Sequence, residues 1–220
     1  MSACADLAIV LVGAGRGMRM GFDKVWYELE GRPLVGYAVE AALVAEPAEL
    51  VLVVSAERVE SARQLAPMAH VVPGGGRRRD STTAGLAASS AEWVAIHDAA
   101  RFLVRPELFA RGLEAARQSG AAIPVVPLKD TVKRVSNGRV VGTINGSEHV
   151  AVQTPQVFRR DLLQRALALS GEDVTDESAL VELLGVKVST FHGAEENLKV
   201  TTPLDLDMAR VLLSSQAARL

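Results

Sequence analysis

The sequence predicts an α/β domain: a Rossmann-like open, mostly parallel sheet with helices on both faces and a β-arm protruding from it. Three observations predict this. Short apolar, β-branched runs alternate along the chain with longer stretches of helical periodicity, the pattern of repeated strand–helix units. Hydrophobic residues make up 49% of the 220 positions but aromatics only 4%, so the core is built from Ala, Val and Leu, the usual filling between helices and a parallel sheet. The residues of unusual chemistry, at 13–19, 73–81 and 97–101, each follow an apolar run directly, and open parallel sheets bind ligands at the carboxyl ends of their strands.

Taken in order, 7–12 is a buried strand that empties into the loop Gly13-Ala14-Gly15-Arg16-Gly17. Residues 33–45 read as a helix with Pro33 near its first turn, where a missing N–H costs least. A strand at 50–55, a helix at 57–65 and a short strand at 70–72 follow. The last leads into a second glycine loop, Gly74-Gly75-Gly76 with Arg77, Arg78 and Arg79, and then a helix to Ser89. A strand at 93–97, a helix at 106–118 and a strand at 121–126 continue the alternation. Between 129 and 152 the pattern changes to 131–135, Asn137-Gly138 and 140–144, a hairpin with a tight turn. Its faces are too polar for a core pair, so it is expected to project as an arm that meets a partner surface. Helices at 160–170 and 177–184, a strand at 187–191 and a closing helix after Pro203 complete the chain.

The length fits a single domain spanning 1–220. With a formal net charge of -2, bulk charge gives no case for nucleic-acid or membrane binding, and any anion site must come from local clustering. The only cysteine, Cys4, excludes an intrachain disulfide and fits a cytoplasmic, reducing location. The N-terminus has no basic lead, and its first apolar run is broken by glycine well short of a membrane span.

The first glycine loop lets backbone N–H groups approach a ligand closely, and Arg19 and Lys24 add positive charge beside it. That combination suits a polyphosphate. The rival G-x-G-x-x-G dinucleotide fingerprint fits poorly: the third glycine arrives one residue early, and no acidic residue ends the second strand. Asp98 is either a Mg²⁺ ligand at a strand end or a helix cap or partner of Arg101. His97 is expected to pack or orient rather than catalyse. At least one of Arg77, Arg78 and Arg79 is expected to face phosphate. No nucleophile elbow, zinc-ligand spacing or Walker motif is present. Cations plus one carboxylate suit nucleotidyl transfer, in which catalysis is mostly positioning and charge stabilisation. An attacking phosphate is already anionic and needs no general base.

In chain order these motifs resemble the 2-C-methyl-D-erythritol 4-phosphate cytidylyltransferases of the non-mevalonate isoprenoid pathway. The resemblance runs along nearly the whole chain. It rests on the glycine loop with Arg19-Met20 and Lys24, the second loop with Arg78, Asp80 and Ser81, His97-Asp98-Ala99-Ala100-Arg101, Asp130-Thr131 with Lys133, Gln153-Thr154-Pro155-Gln156, Thr175-Asp176-Glu177, and Asn197-Leu198-Lys199-Val200-Thr201. It implies a fold of the nucleotide-diphospho-sugar transferase type and a reaction of CTP with methylerythritol phosphate, giving the CDP-alcohol and pyrophosphate with Mg²⁺. It also implies a homodimer with interlocking arms. By position, Arg19, Lys24 and Lys199 would be catalytic, and Asp98 would hold the metal. Gly13, Ala14, Gly15, Gly75, Arg78 and Ser81 would line the nucleotide pocket, while Arg101, Thr131, Thr175 and Lys199 would meet the polyol phosphate. The chain departs from the family pattern at three places: Gly146 stands where an arm arginine is usual, and Asp23 and Phe102 stand where prolines are. Two other readings are a cytidylyltransferase for another polyol phosphate, such as ribitol 5-phosphate, and a nucleotide-binding regulator without catalysis. Retention of Arg19, Lys24, Asp98 and Lys199 speaks against the regulator.

Overall fold

The computed structural model describes residues 3–15, 22–169 and 176–217. Strand β1 (Leu7–Val12) ends in the first glycine loop, and a single 3-10 turn (Lys24–Trp26) follows. The short strands β2 (Glu28–Leu29) and β3 (Arg32–Pro33) lead into helix α1 (Leu34–Val44). Then come β4 (Glu49–Val54), a 3-10 turn (Ala56–Arg58), α2 (Val59–Leu65), β5 (His70–Pro73), α3 (Arg78–Ala87), β6 (Trp93–Asp98), α4 (Glu107–Ser119) and β7 (Ala121–Pro127). The arm is β8 (Lys133–Ser136) and β9 (Arg139–Thr143), followed by a turn (Gly146–Glu148) and β10 (Val150–Val152). Strand β11 (Gln156–Arg159), helices α5 (Arg160–Ala168) and α6 (Glu177–Leu183), strand β12 (Ser189–His192) and helix α7 (Pro203–Ala217) close the chain.

The central sheet runs β10-β7-β11-β6-β1-β4-β5, with β12 also on β7. Ala122 of β7 pairs with both Val157 and Ser189, so β11 and β12 lie on opposite edges of that strand. The pairs β1–β4, β1–β6, β4–β5 and β12–β7 are parallel. The pairs β11–β6, β11–β7 and β10–β7 are antiparallel. The expected mostly parallel sheet is therefore present, with one departure. The sequence reading had no strand at 156–159, and it assigned 150–152 to the arm; both segments join the main sheet. Each is only three or four residues long, too short to display a period, and Arg159 passes straight into a helix.

Alternation along the strands builds a core on each face, because successive side chains point to opposite sides. Leu7, Ile9 and Leu11 face one cluster with Leu52, Ala38 of α1 and Phe109 of α4. Ala8 and Val10 face the other, with Val53, Leu86 of α3, Leu163 of α5 and Val181 of α6. Burying each such side chain contributes roughly 1.5–3 kcal/mol. Helix α4 ends at Gly120 in the left-handed conformation (φ 86°), a cap that costs a glycine little. The arm turns on Asn137 (φ 47°) and Gly138 (φ 73°), the two-residue turn expected from the sequence. Among the described residues no helix is long and apolar enough to cross a membrane.

Candidate functional site

The carboxyl ends of β1, β4, β5 and β6 open on a cleft of about 710 Å³, walled by Gly13, Ala14 and Gly15 from the first loop, Gly74 to Gly76 from the second, and Lys24, Asp98 and Lys199. The two glycine loops rest on one another. A side chain at Gly74 would place its Cβ 2.4 Å from that of Ala14 and 2.6 Å from Ser81 Oγ. Gly13 N–H donates to Val53 O at 2.8 Å and Gly74 N–H to Val54 O at 2.7 Å, so the strand ends fix both loops. Gly75 N–H donates to Ser81 Oγ at 3.2 Å, and that hydroxyl donates to Arg77 O at 3.3 Å. Gly75 and Ser81 thus line the cleft and brace each other.

At the floor lies a chain of alternating charge. Asp98, the last residue of β6, is buried (6% exposed) and accepts from Arg78 through Oδ1 and from Lys199 Nζ through Oδ2, the latter at 2.6 Å. Arg78 Nη2 reaches Glu177 Oε2 at 2.9 Å, and Thr82 donates its hydroxyl to Glu177 Oε1 at 2.6 Å. Burial would raise the Asp98 carboxyl, but the Arg78 and Lys199 cations overcome it and hold the group well below the usual carboxylate range. Arg78 is likewise opposed by burial and raised on balance by Asp98 and Glu177.

The three arginines after the glycines divide their work. Arg77 N–H and guanidinium bond the Asp80 carboxylate at the start of α3, with Nη2–Oδ1 at 2.9 Å. Arg78 is held between two carboxylates, and Arg79 donates to the carbonyls of Leu167 and Leu169. Arg78 is therefore on the cleft wall, as the nucleotide assignment requires, but its charge is already balanced within the protein. The alternative pairing of Asp98 with Arg101 is not the one formed. Arg101 Nη1 donates to Asn197 O at 2.8 Å, its Nε is buried without a partner, and no carboxylate of the described residues lies within ion-pair distance. Burial pushes its pKa below the ordinary value.

His97 is fully buried and packs edge-on to Phe109, with ring centroids 5.6 Å apart. The Arg101 carbonyl can only accept, so His97 Nε2 carries the proton and donates to it at 3.1 Å. The unprotonated Nδ1 of the neutral ring accepts from the Thr154 hydroxyl, 2.9 Å away, whose oxygen accepts from Asp98 N–H at 3.1 Å. Burial pushes the imidazole down to about 4, so it is neutral with both nitrogens engaged. The expectation that it packs rather than catalyses matches this geometry.

Lys24 opens its turn on the cleft wall. The preceding Asp23 pairs with Arg58 at 3.5 Å, and the Arg58 guanidinium lies 5.0 Å from the Trp26 ring centroid. Phe102 is buried against Tyr37, with centroids 5.5 Å apart, so a core contact replaces the proline usual there. Thr131 is exposed at the base of the arm and is not among the residues lining the cleft. Arg19 and Thr175 lie outside the described residues. Sequence reasoning gave no role to Thr82, to Glu177, or to Ser55, Ala56 and Glu57, which extend the cleft wall. Glu177 was visible only as a member of a motif, and no local pattern marks its partner 99 positions away.

A glycine-walled cleft at the ends of parallel strands, with Arg78 and Lys199 paired to the ionised Asp98 on its wall, suits a nucleotidyl-transfer enzyme of the α/β class. The profile of the 2-C-methyl-D-erythritol 4-phosphate cytidylyltransferase family matches residues 7–215. Under the same enzyme name, a protein of Dehalococcoides mccartyi (strain ATCC BAA-2266 / KCTC 15142 / 195) is 41% identical over 214 residues, covering 93% of this chain and 94% of its own. One of Rhodococcus jostii (strain RHA1) is 44% identical over 211 residues, covering 93% of each. The crystal structure of the enzyme from Thermus thermophilus superposes with a TM-score of 0.82 at 32% identity, over 93% of this chain and 97% of that one. This chain belongs to the 2-C-methyl-D-erythritol 4-phosphate cytidylyltransferase family.

Proposed function

We propose that the chain joins CTP and 2-C-methyl-D-erythritol 4-phosphate to give 4-diphosphocytidyl-2-C-methyl-D-erythritol and pyrophosphate, a step of isoprenoid precursor biosynthesis, as its family membership supports. A phosphate oxygen of the polyol phosphate attacks the α-phosphorus of CTP, the bond from that phosphorus to the β-phosphate bridge breaks, and pyrophosphate leaves with the electron pair. The observation that carries this reading is the pairing of a cation-lined cleft with a histidine that is neutral, buried and saturated. Such a site stabilises charge and abstracts no proton, which suits a nucleophile that arrives as an anion. Lys24, Lys199 and Arg19 would bear on the reacting phosphates, and Arg101, with no carboxylate partner among the described residues, is suited to the phosphate of the second substrate.

Asp98 fits a Mg²⁺ ligand: it is ionised and on the cleft wall, and Mg²⁺ is commonly held by one or two carboxylates with substrate phosphates completing its shell. Among the described residues no group of three His, Cys, Asp or Glu could hold a metal, so substrate oxygens and water would complete the shell around Asp98. When bound, the ion would neutralise triphosphate charge.

The chain would act as one domain and as a homodimer through the arm at 129–152. Val135 and Val140, paired across the hairpin, are 60% and 63% exposed, the condition of a surface that awaits a partner. A cytoplasmic setting accords with a sequence whose single cysteine, Cys4, is buried. Pyrophosphate release from CTP with a panel of polyol phosphates tests the assignment. Preference for methylerythritol phosphate supports it, preference for ribitol 5-phosphate moves the chain to the other cytidylyltransferase reading, and nucleotide binding without turnover supports the regulator.

A further inference from the structure

Helix α7 begins four residues after Lys199, with a reciprocal cap at Thr202. Asp205 Oδ2 accepts Thr202 N–H at 2.8 Å, and Asp205 N–H donates to Thr202 Oγ1 at 3.3 Å, with Pro203 between them at the first helical position. A cap needs nothing more. Here the same carboxylate oxygen also takes the N–H of Thr201 at 2.7 Å and its hydroxyl at 2.8 Å. Val200, fully buried, donates its N–H to Ala100 O at 3.0 Å. The segment that carries Lys199 is therefore tied on one side to the loop after β6 and on the other to α7.

Five residues further along, Arg210 Nη2 donates to Tyr27 Oη at 2.8 Å. Tyr27 closes the turn that Lys24 opens, and its N–H bonds the Lys24 carbonyl at 3.2 Å. Between these two ties, Leu206 and Ala209 sink into the core. One helix thus grips both lysine-bearing segments while being anchored to the sheet layer beneath it.

We infer that α7 is a strut that fixes the separation of Lys24 and Lys199, with Asp205 and Arg210 as positioning residues for the transfer reaction. The inference rests on the proposed role of both lysines at the reacting phosphates. Groups that stabilise developing charge must be held to within roughly 0.5 Å, and a misplacement of about 1 Å can cost on the order of a hundredfold in rate. A lysine on an otherwise mobile loop does not meet that tolerance, whereas one tied to a packed helix does.

The test measures kcat and both KM values by pyrophosphate release, with thermal midpoints in parallel, for Tyr27→Phe, Arg210→Met, their double variant, Asp205→Ala and Asp205→Asn. Tyr27→Phe removes one hydroxyl, and Arg210→Met keeps the aliphatic stem. Each is expected to lower kcat by roughly 3- to 10-fold, the weight of one hydrogen bond, with KM for CTP within about twofold and the midpoint within about 2 °C. The double variant should be no slower than the slower single one, because both lose the same bond. Asp205→Ala should lose at least about tenfold in kcat, and Asp205→Asn, which still accepts, should recover most of it. Unchanged kcat in folded Tyr27→Phe and Arg210→Met, or additive losses in the double variant, overturns the strut. A wild-type chain that releases no pyrophosphate removes the functional reading and this inference with it, whereas an active wild type beside unaffected variants defeats the strut alone.

Discussion

Acid should unfold this protein early, and His97 is the reason. Its imidazole titrates at about 4 in the fold, because burial disfavours the charged form more than the neighbouring Asp98 favours it; the ordinary value is 6.5. Arg78 and Arg101 also face the ring and push the same way as burial. Between the two pKa values the unfolded chain binds the proton and the folded chain does not, so stability rises with pH across this window and is lost as pH falls from 6.5 towards 4. At pH 4.5 the single site should cost roughly 2–3 kcal/mol relative to pH 7.5. Asp98, held far below its ordinary value, contributes stability that is lost only below about pH 4, outside this comparison. The assay is urea unfolding of wild type and His97→Gln at pH 7.5 and 4.5, both proteins at one concentration because self-association would make stability depend on it. Glutamine can still accept from Thr154 and donate to the Arg101 carbonyl, but it does not titrate. The variant should be the weaker protein at pH 7.5 and yet lose roughly 2–3 kcal/mol less on acidification. An equal acid loss in the two proteins would refute the reasoning.

Lys24→Ala removes a cation from the cleft wall and should cut turnover by about two orders of magnitude, with a smaller effect on CTP binding; near-normal turnover in a folded variant sinks its role. Asp98→Asn should lower activity and weaken Mg²⁺ dependence together, and calorimetry should find tight Mg²⁺ binding to wild type only with CTP present, since the described residues offer no group of three metal ligands. Gly146→Arg restores the usual arm arginine in open space, nothing lying within 4 Å of a Cβ there. It should lower KM for the polyol phosphate and leave KM for CTP alone. An unchanged KM means that Arg139 or another cation already covers that phosphate.

The elements were legible wherever a period could develop: six apolar residues in β1, thirteen residues of amphipathic α4, and an Asn-Gly turn between two polar strands. β10 and β11 were not, because strands of three and four residues carry no period and are made by the partners that flank them. The glycine loops were legible as places of close approach, but part of the reason differs. Gly74 is small to let Ala14 and Ser81 pack against it, and Gly85, where a Cβ would sit 2.3 Å from Val10 Cγ1, brings α3 onto the sheet. The consecutive arginines looked alike in sequence. Their fates diverge because Arg77 is the extended cap before α3 and bonds Asp80, whereas the step of about 100° from Arg78 to Arg79 along the helix sends Arg78 into the cleft and Arg79 towards α5.

That divergence also ranks the cations by how readily an anionic ligand could claim them. Arg78 cannot turn to a phosphate without stranding Glu177, which is 3% exposed and whose other side-chain partner is the Thr82 hydroxyl. A buried carboxylate left without its cation costs several kcal/mol, of order 3–5. Among the described residues Lys199 is held by Asp98 alone, and its side chain is 38% exposed, against 27% for Arg78. Moving it leaves Asp98 still paired with Arg78, so the cost is far smaller. Arg101 gives up only bonds to carbonyl oxygens. The chain Glu177–Arg78–Asp98–Lys199 is therefore fixed at its Glu177 end and open at its Lys199 end, and counting basic residues in the motifs overstates the charge offered to substrate by the one arginine that balances two buried acids.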